Sequence, residues 1–183
     1  MGVRSLYLGA WRIDVERRDA VPRLLPDTAL ARAMVAALEA AGAPRPASMG
    51  LILSDDAELA ELNAAHMGKD GPTDVLSFPL LPPEAFPPHP GKAAPARATA
   101  AEPFPLPPGA RPHLGDIVVS TERAIDQATA GRGGQTGDVG WDARDELRLL
   151  VTHGTLHVCG WDHAQPAEET AMRALERELL AIR

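Results

Sequence analysis

His153-Gly154-Thr155-Leu156-His157-Val158-Cys159-Gly160-Trp161-Asp162-His163 marks the end of a helix, its stop and the turn after it, and the remaining elements arrange around that corner. Three of the chain's six histidines fall in this stretch, with three residues between the first two and five between the last two. Residues four apart share one helix face, one turn from each other, so His153 and His157 can point at one ion. Gly160 supplies a residue that enters the left-handed region without a Cβ clash, which is how many helices stop. The chain turns there, and His163 can swing back as a third ligand. Three neutral imidazoles leave a tetrahedral zinc with one open position for water, the pattern of a catalytic rather than a structural site.

The same histidine spacing occurs in a class of zinc proteases, which read His-Glu-x-x-His-x-x-Gly-x-x-His and use the glutamate as general base. Here Gly154 takes that position, so peptide hydrolysis lacks its base unless Asp162 or Glu146 reaches in. Asp162 adjoins a ligand and reads as a group that orients it or caps the turn. Glu146 lies two turns before His153 on roughly the same face, where a salt bridge or an imidazole partner is its simpler role. Cys159, two residues after His157, falls on nearly the opposite side of the helix and reads as a small buried hydrophobe, not a fourth ligand.

The motif His153-Gly154-x-Leu156-His157-x-x-Gly160-x-Asp162-His163 resembles the signature of the bacterial YbeY family of metal-dependent endoribonucleases, the rRNA maturation factors. Two further blocks resemble that family in the same order: Leu62-Asn63 followed by Gly68-Lys69-Asp70-Gly71-Pro72-Thr73-Asp74-Val75-Leu76-Ser77-Phe78-Pro79, and Leu114-Gly115-Asp116-Ile117-Val118-Val119-Ser120. The resemblance implies a single zinc ion, or another divalent metal that imidazoles accept, held by His153, His157 and His163 as the catalytic centre. It implies a single-stranded RNA substrate, with Thr73, Asp74 and Ser77 lining the cleft and contacting it. It implies a cellular setting in maturation of the small-subunit rRNA 3′ end and ribosome quality control, with the ribosomal small subunit or ribosome-assembly proteins as partners. One departure stands out. The family pattern places an aromatic and then an arginine where this chain has His66 and Met67, and a thioether carries no charge with which to hold a phosphate. A zinc hydrolase of another class, such as a metallopeptidase, and a non-catalytic assembly factor with a structural metal remain open beside the nuclease.

Length and composition suit this reading. The 183 residues are enough for one domain with a sizeable core, and the whole chain is expected to form one metal-dependent hydrolase domain. Hydrophobic residues make up 45% and charged ones 23%, ordinary for a globular protein. No apolar run approaches a membrane span, the N-terminus lacks a secretory h-region, and a single cysteine allows no internal disulfide, so a reducing cytoplasm is the simplest compartment. Eighteen basic against 25 acidic residues give a formal charge of -7, which predicts weak, salt-sensitive contact with naked RNA unless docking on a ribonucleoprotein compensates. Sixteen of the basic residues are arginines. Arg12, Arg17 and Arg18 cluster early, and Arg144 and Arg148 precede the metal motif on its helix, so a local basic groove stays open.

Outward from the motif, apolar–polar alternation predicts strands over residues 10–16, 48–53, 73–79 and 114–120. Helices are predicted from Asp27 or Thr28 to about residue 41, from the Ser54-Asp55-Asp56 cap to about residue 66, and over 121–130, 142–158 and 166–182. The stretch 131–140 is glycine-rich and reads as mobile. Residues 81–112 hold eleven prolines and no apolar period, and read as a partly ordered surface loop, a tolerated insertion. The expected class is α+β: a four-stranded mixed sheet packed with about five helices, the metal site on a helix and the turn that follows it.

Overall fold

Trp11, Ile13 and Val15 alternate with Arg12, Asp14 and Glu16, and this period of two buries the first set against helices while the second stays half exposed. The structure, a computed structural model, describes residues 2–19, 21–91, 110–130 and 141–181; the glycine-rich stretch 131–140 and residues 92–109 of the proline-rich segment lie outside these. Among the described residues five strands form one mixed sheet: β1 (Arg4–Leu8), β2 (Trp11–Arg17), β3 (Ala47–Ser54), β4 (Val75–Pro79) and β5 (His113–Ser120), in the order β1-β2-β3-β5-β4. β2, β3 and β5 run parallel, and antiparallel β1 and β4 close the two edges.

The four expected strands are therefore a five-stranded sheet. The addition is β1, paired to β2 across a tight turn at Gly9-Ala10, with Leu8 opposite Trp11. As an edge strand it leaves Arg4, Ser5 and Tyr7 exposed and only half-buries Leu6 and Leu8, so its alternation is too shallow to read from the chain.

Among the described residues five α-helices pack on this sheet: α1 (Asp27–Ala40), α2 (Asp56–Met67), α3 (Thr121–Thr129), α4 (Ala143–Val158) and α5 (Pro166–Ala181), with a 3-10 turn at Pro83–Ala85. In α1 the stripe Leu30, Met34 and Leu38 is fully buried. Asp27 does not cap it: Pro26 holds the capping position, and the buried Asp27 carboxylate instead accepts from Arg17 at 3.2 Å and Arg4 at 3.4 Å. Asp55 caps α2 by accepting from the Glu58 amide at 2.9 Å. The main core joins the inward faces of β2, β3 and β5 to α1, α4 and α5 through Ile13, Met49, Leu51, Ile117, Met34, Leu147 and Met172. On the opposite face α2 sets Leu59 against Leu76 and Val118.

α4 is the central helix, touching α1, α3, α5, β4 and β5. Its start is secured by a capping box, with the Asp142 carboxylate accepting from the Asp145 amide at 3.1 Å and Asp145 accepting from the Asp142 amide at 3.3 Å. Among the described residues no helix is long and apolar enough to cross a membrane.

Candidate metal centre

The last two turns of α4 and the five residues after it bring three imidazoles together. His153 and His157 occupy one face of the helix, as their spacing requires. The helix then stops in a Schellman arrangement: the Gly160 amide donates to the His157 carbonyl at 3.0 Å, the Trp161 amide to the Leu156 carbonyl at 3.1 Å, and Gly160 sits at φ 81°. That reversal carries His163 back over the helix end. The ring centroids lie 4.5, 5.0 and 5.4 Å apart, and one nitrogen from each ring falls within 4.8 Å of the others. His153 Nε2 and His157 Nε2 are only 3.0 Å apart.

The donor chemistry fits a divalent cation. Tetrahedral zinc–imidazole bonds of about 2.0–2.1 Å hold ligand nitrogens about 3.3–3.4 Å apart, close to the spacing of the first pair. Glu176 of α5, 2% exposed, faces His153 Nδ1 at 2.7 Å. A carboxylate accepts, so Nδ1 carries the proton and Nε2 keeps its lone pair for the cluster. Burial lowers His157 to about 4, helped by the neighbouring His153 and His163 and opposed by Asp162 and a backbone hydrogen bond with Trp161. The imidazole is thus neutral, the form that ligates, across the whole neutral range. Among the described residues no further His, Cys, Asp or Glu joins the group. Cys159 is fully buried and its thiol is pushed up to about 12 by burial, which makes it packing and not a ligand.

The cluster opens on a cleft of about 710 Å³ between α4 and the edge strand β4, lined by Thr73, Asp74, Ser77, Asp162 and the three histidines among others. The predicted site residues are therefore brought together, but several are also braced. Asp74 accepts from the Val75 amide at 2.9 Å and from Gln127 at 3.0 Å. The Ser77 hydroxyl donates to the Gly154 carbonyl at 3.0 Å, tying β4 to α4. Asp162 accepts from the His163 amide at 2.8 Å, holding the backbone at that histidine. Gly154 is explained by packing: a Cβ there would lie 2.8 Å from Val75 and 3.2 Å from Ile117, so any side chain where the proteases keep their base forces those neighbours to shift.

Glu146 is not the imidazole partner; it accepts from the Trp141 indole at 2.6 Å, and the partner is Glu176. The sequence did carry a signal for Glu176, which occupies a core position between Met172 and Leu179 on an otherwise apolar stripe. Met67 is 57% exposed on the cleft rim and His66 packs edge-on against Phe78, while no arginine or lysine is among the described lining residues. The arginine that shares a smaller adjoining cavity with His153 and His163 is Arg173 of α5, paired with Glu169 at 2.6 Å.

The family profile described as Endoribonuclease YbeY matches residues 15–182. This chain belongs to the YbeY family. An endoribonuclease YbeY of Roseiflexus sp. (strain RS-1) is 40% identical over 136 residues, covering 74% of this chain and 69% of that protein. That of Salinispora tropica is 42% identical over 146 residues, covering 79% and 80%. That of Thermobifida fusca is 36% identical over 169 residues, covering 92% of each. The YbeY match spans α4, the returning turn and α5, so the histidine cluster and its Glu176 support both lie within the shared region.

Proposed function

We propose that this chain is a zinc-dependent endoribonuclease that cleaves single-stranded RNA, acting in maturation of the small-subunit rRNA 3′ end and in ribosome quality control. The observation that carries the reading is a cluster of three converging imidazoles, supported by a buried carboxylate, that opens on a long cleft in a member of an endoribonuclease family. His153, His157 and His163 would hold the ion. Such an ion, when bound, lowers the pKa of a water to about 7 and polarises a phosphoryl oxygen.

The chain's own residues prepare that chemistry. Glu176 fixes the His153 tautomer, and Asp162 orients the His163 backbone. Thr73, Asp74 and Ser77 line the same cleft as the histidines, where Asp74 keeps a carboxylate bonded to the Val75 amide and to Gln127, and Ser77 a hydroxyl bonded to the Gly154 carbonyl. With a formal charge of -7 and a cleft lining free of arginine and lysine among the described residues, affinity for naked RNA is low and falls with salt. Docking on the ribosomal small subunit, or on its assembly proteins in the cytoplasm, supplies the missing contacts. A peptidase is disfavoured by Gly154, where a general base would force Val75 and Ile117 to shift.

Incubation with labelled single-stranded RNA, beside a casein digest, tests the reading. RNA cleavage that disappears with a chelator and in His157→Ala supports it. Casein cleavage would turn the assignment to a peptidase. Bound zinc with silence in both assays would leave a structural metal in a non-catalytic assembly factor. Metal analysis of the purified protein separates zinc from nickel, copper or iron.

A further inference from the structure

Residues 81–91 open the segment that reads as a tolerated insertion, yet they are seated on the turn that carries His163. The segment is anchored first. Phe86 is 3% exposed in the main core, and Pro87 lies against Gly42 at the end of α1, where an added Cβ would come within 2.8 Å. From that anchor it meets three successive residues of the turn. Pro83 covers Gly160, 3.3 Å from where a Cβ would stand. The His89 ring stacks on Trp161 with centroids 4.1 Å apart and planes 8° from parallel. Gly91 sits under the same indole, so close that a Cβ would lie 2.2 Å from its ring, and the Gly91 carbonyl accepts from the Asp162 amide at 2.6 Å.

We infer that this strap positions the third metal ligand, with His89 and Gly91 as positioning residues acting through Trp161 and Asp162 on His163. The physical reason lies in the site's construction. His153 and His157 are fixed by α4, and His153 again by Glu176, but His163, itself exposed, lies on the turn beyond the helix. Its ring is held in range only if the backbone from Gly160 to Asp162 is held. The Schellman bonds fix the start of that run. The strap fixes its far end, stacking on one side of Trp161 and bonding the amide next to the ligand. Ligand pre-organisation of this kind commonly changes metal affinity by about 10–100-fold.

The inference rests on the metal reading above, so its test measures zinc uptake by the full chain directly, by competition with a chromophoric chelator, and does not depend on RNA cleavage. His89→Ala and Gly91→Ala are expected to release zinc at least about tenfold more readily than wild type. His89→Phe, which keeps a flat ring on Trp161, is expected to restore most of the loss. Glu84→Ala, in the same segment but facing solvent, is expected to bind as wild type. Should Gly91→Ala fail to fold, the His89 pair decides. Wild-type affinity in His89→Ala, or a loss that His89→Phe does not repair, overturns the strap while leaving the metal site standing. A wild-type chain that takes up no zinc overturns both.

Discussion

At Gly154 one missing side chain decides both packing and chemistry. α4 lies so close to β4 and β5 that a methyl at this position would press on Val75 and Ile117 and force them to shift. Gly154→Ala is therefore expected to lose about 1–3 kcal/mol of stability, seen as a lower urea midpoint, despite alanine's better helix propensity. An unchanged or higher midpoint would mean the helix can move away, and with it that space exists for a base. Glu176 is the complementary case, a buried acid whose single described partner is His153 Nδ1. Glu176→Ala should weaken zinc binding about 10–100-fold, and Glu176→Gln, which keeps an oxygen to accept from Nδ1–H, should retain more of it. Equal affinity in both variants and wild type would remove Glu176 from the site. The convergence of the three histidines was legible because helix periodicity brings His153 and His157 together and the stop at Gly160 turns the chain back towards His163. Glu176 was visible only as an acid on an apolar stripe, because no spacing rule says which histidine a residue on another helix will face.

The helices and central strands could be read from local signals: caps, apolar stripes and alternation. α4 and α5 begin and end within a residue of their expected bounds because Asp142, Gly160 and Pro166 punctuate them. β1 could not be read, since an exposed edge strand carries little burial pattern and exists because β2 offers it a partner. The seating of residues 81–91 was hidden for a related reason: proline density signals the absence of regular structure but is silent about which surface an irregular segment rests on. Elements also divide the labour of the site. The cap of α4 lies at the opposite end of the helix from the histidines. Asp142→Ala is expected to cost about 1 kcal/mol in urea unfolding while the folded protein keeps its affinity for zinc. A parallel fall in affinity would show that fraying at the start of α4 reaches His153.

Across the whole molecule, stability is coupled to pH through a buried imidazole of the candidate site. His157 protonates near 6.5 in an unfolded chain and at about 4 in the fold, because burial and two neighbouring imidazoles penalise its charged form. Between those values the unfolded chain binds more protons than the folded one, so the stability of the metal-free protein rises with pH. It falls as pH drops from 6.5 towards 4, and below 4 this group contributes no further change. A different window belongs to Glu58, which bonds to Arg18 at 2.6 and 2.8 Å; that guanidinium, aided by Ser54, holds it below the ordinary carboxylate range. Its contribution is present above the ordinary carboxylate pKa and is lost only in stronger acid. Urea unfolding at pH 7, 6 and 5 with excess chelator isolates the histidine. Wild type should lose stability steadily over this range, and His157→Gln, with no imidazole to protonate, should lose less. With saturating zinc the wild-type curve should lie higher at pH 7, since a ligand of the folded state adds stability with the logarithm of its concentration over Kd. At His157 protons compete with the metal only near pH 4, where the folded imidazole begins to protonate. Parallel wild-type and His157→Gln curves in chelator would show that the buried imidazole is not what couples this fold to pH.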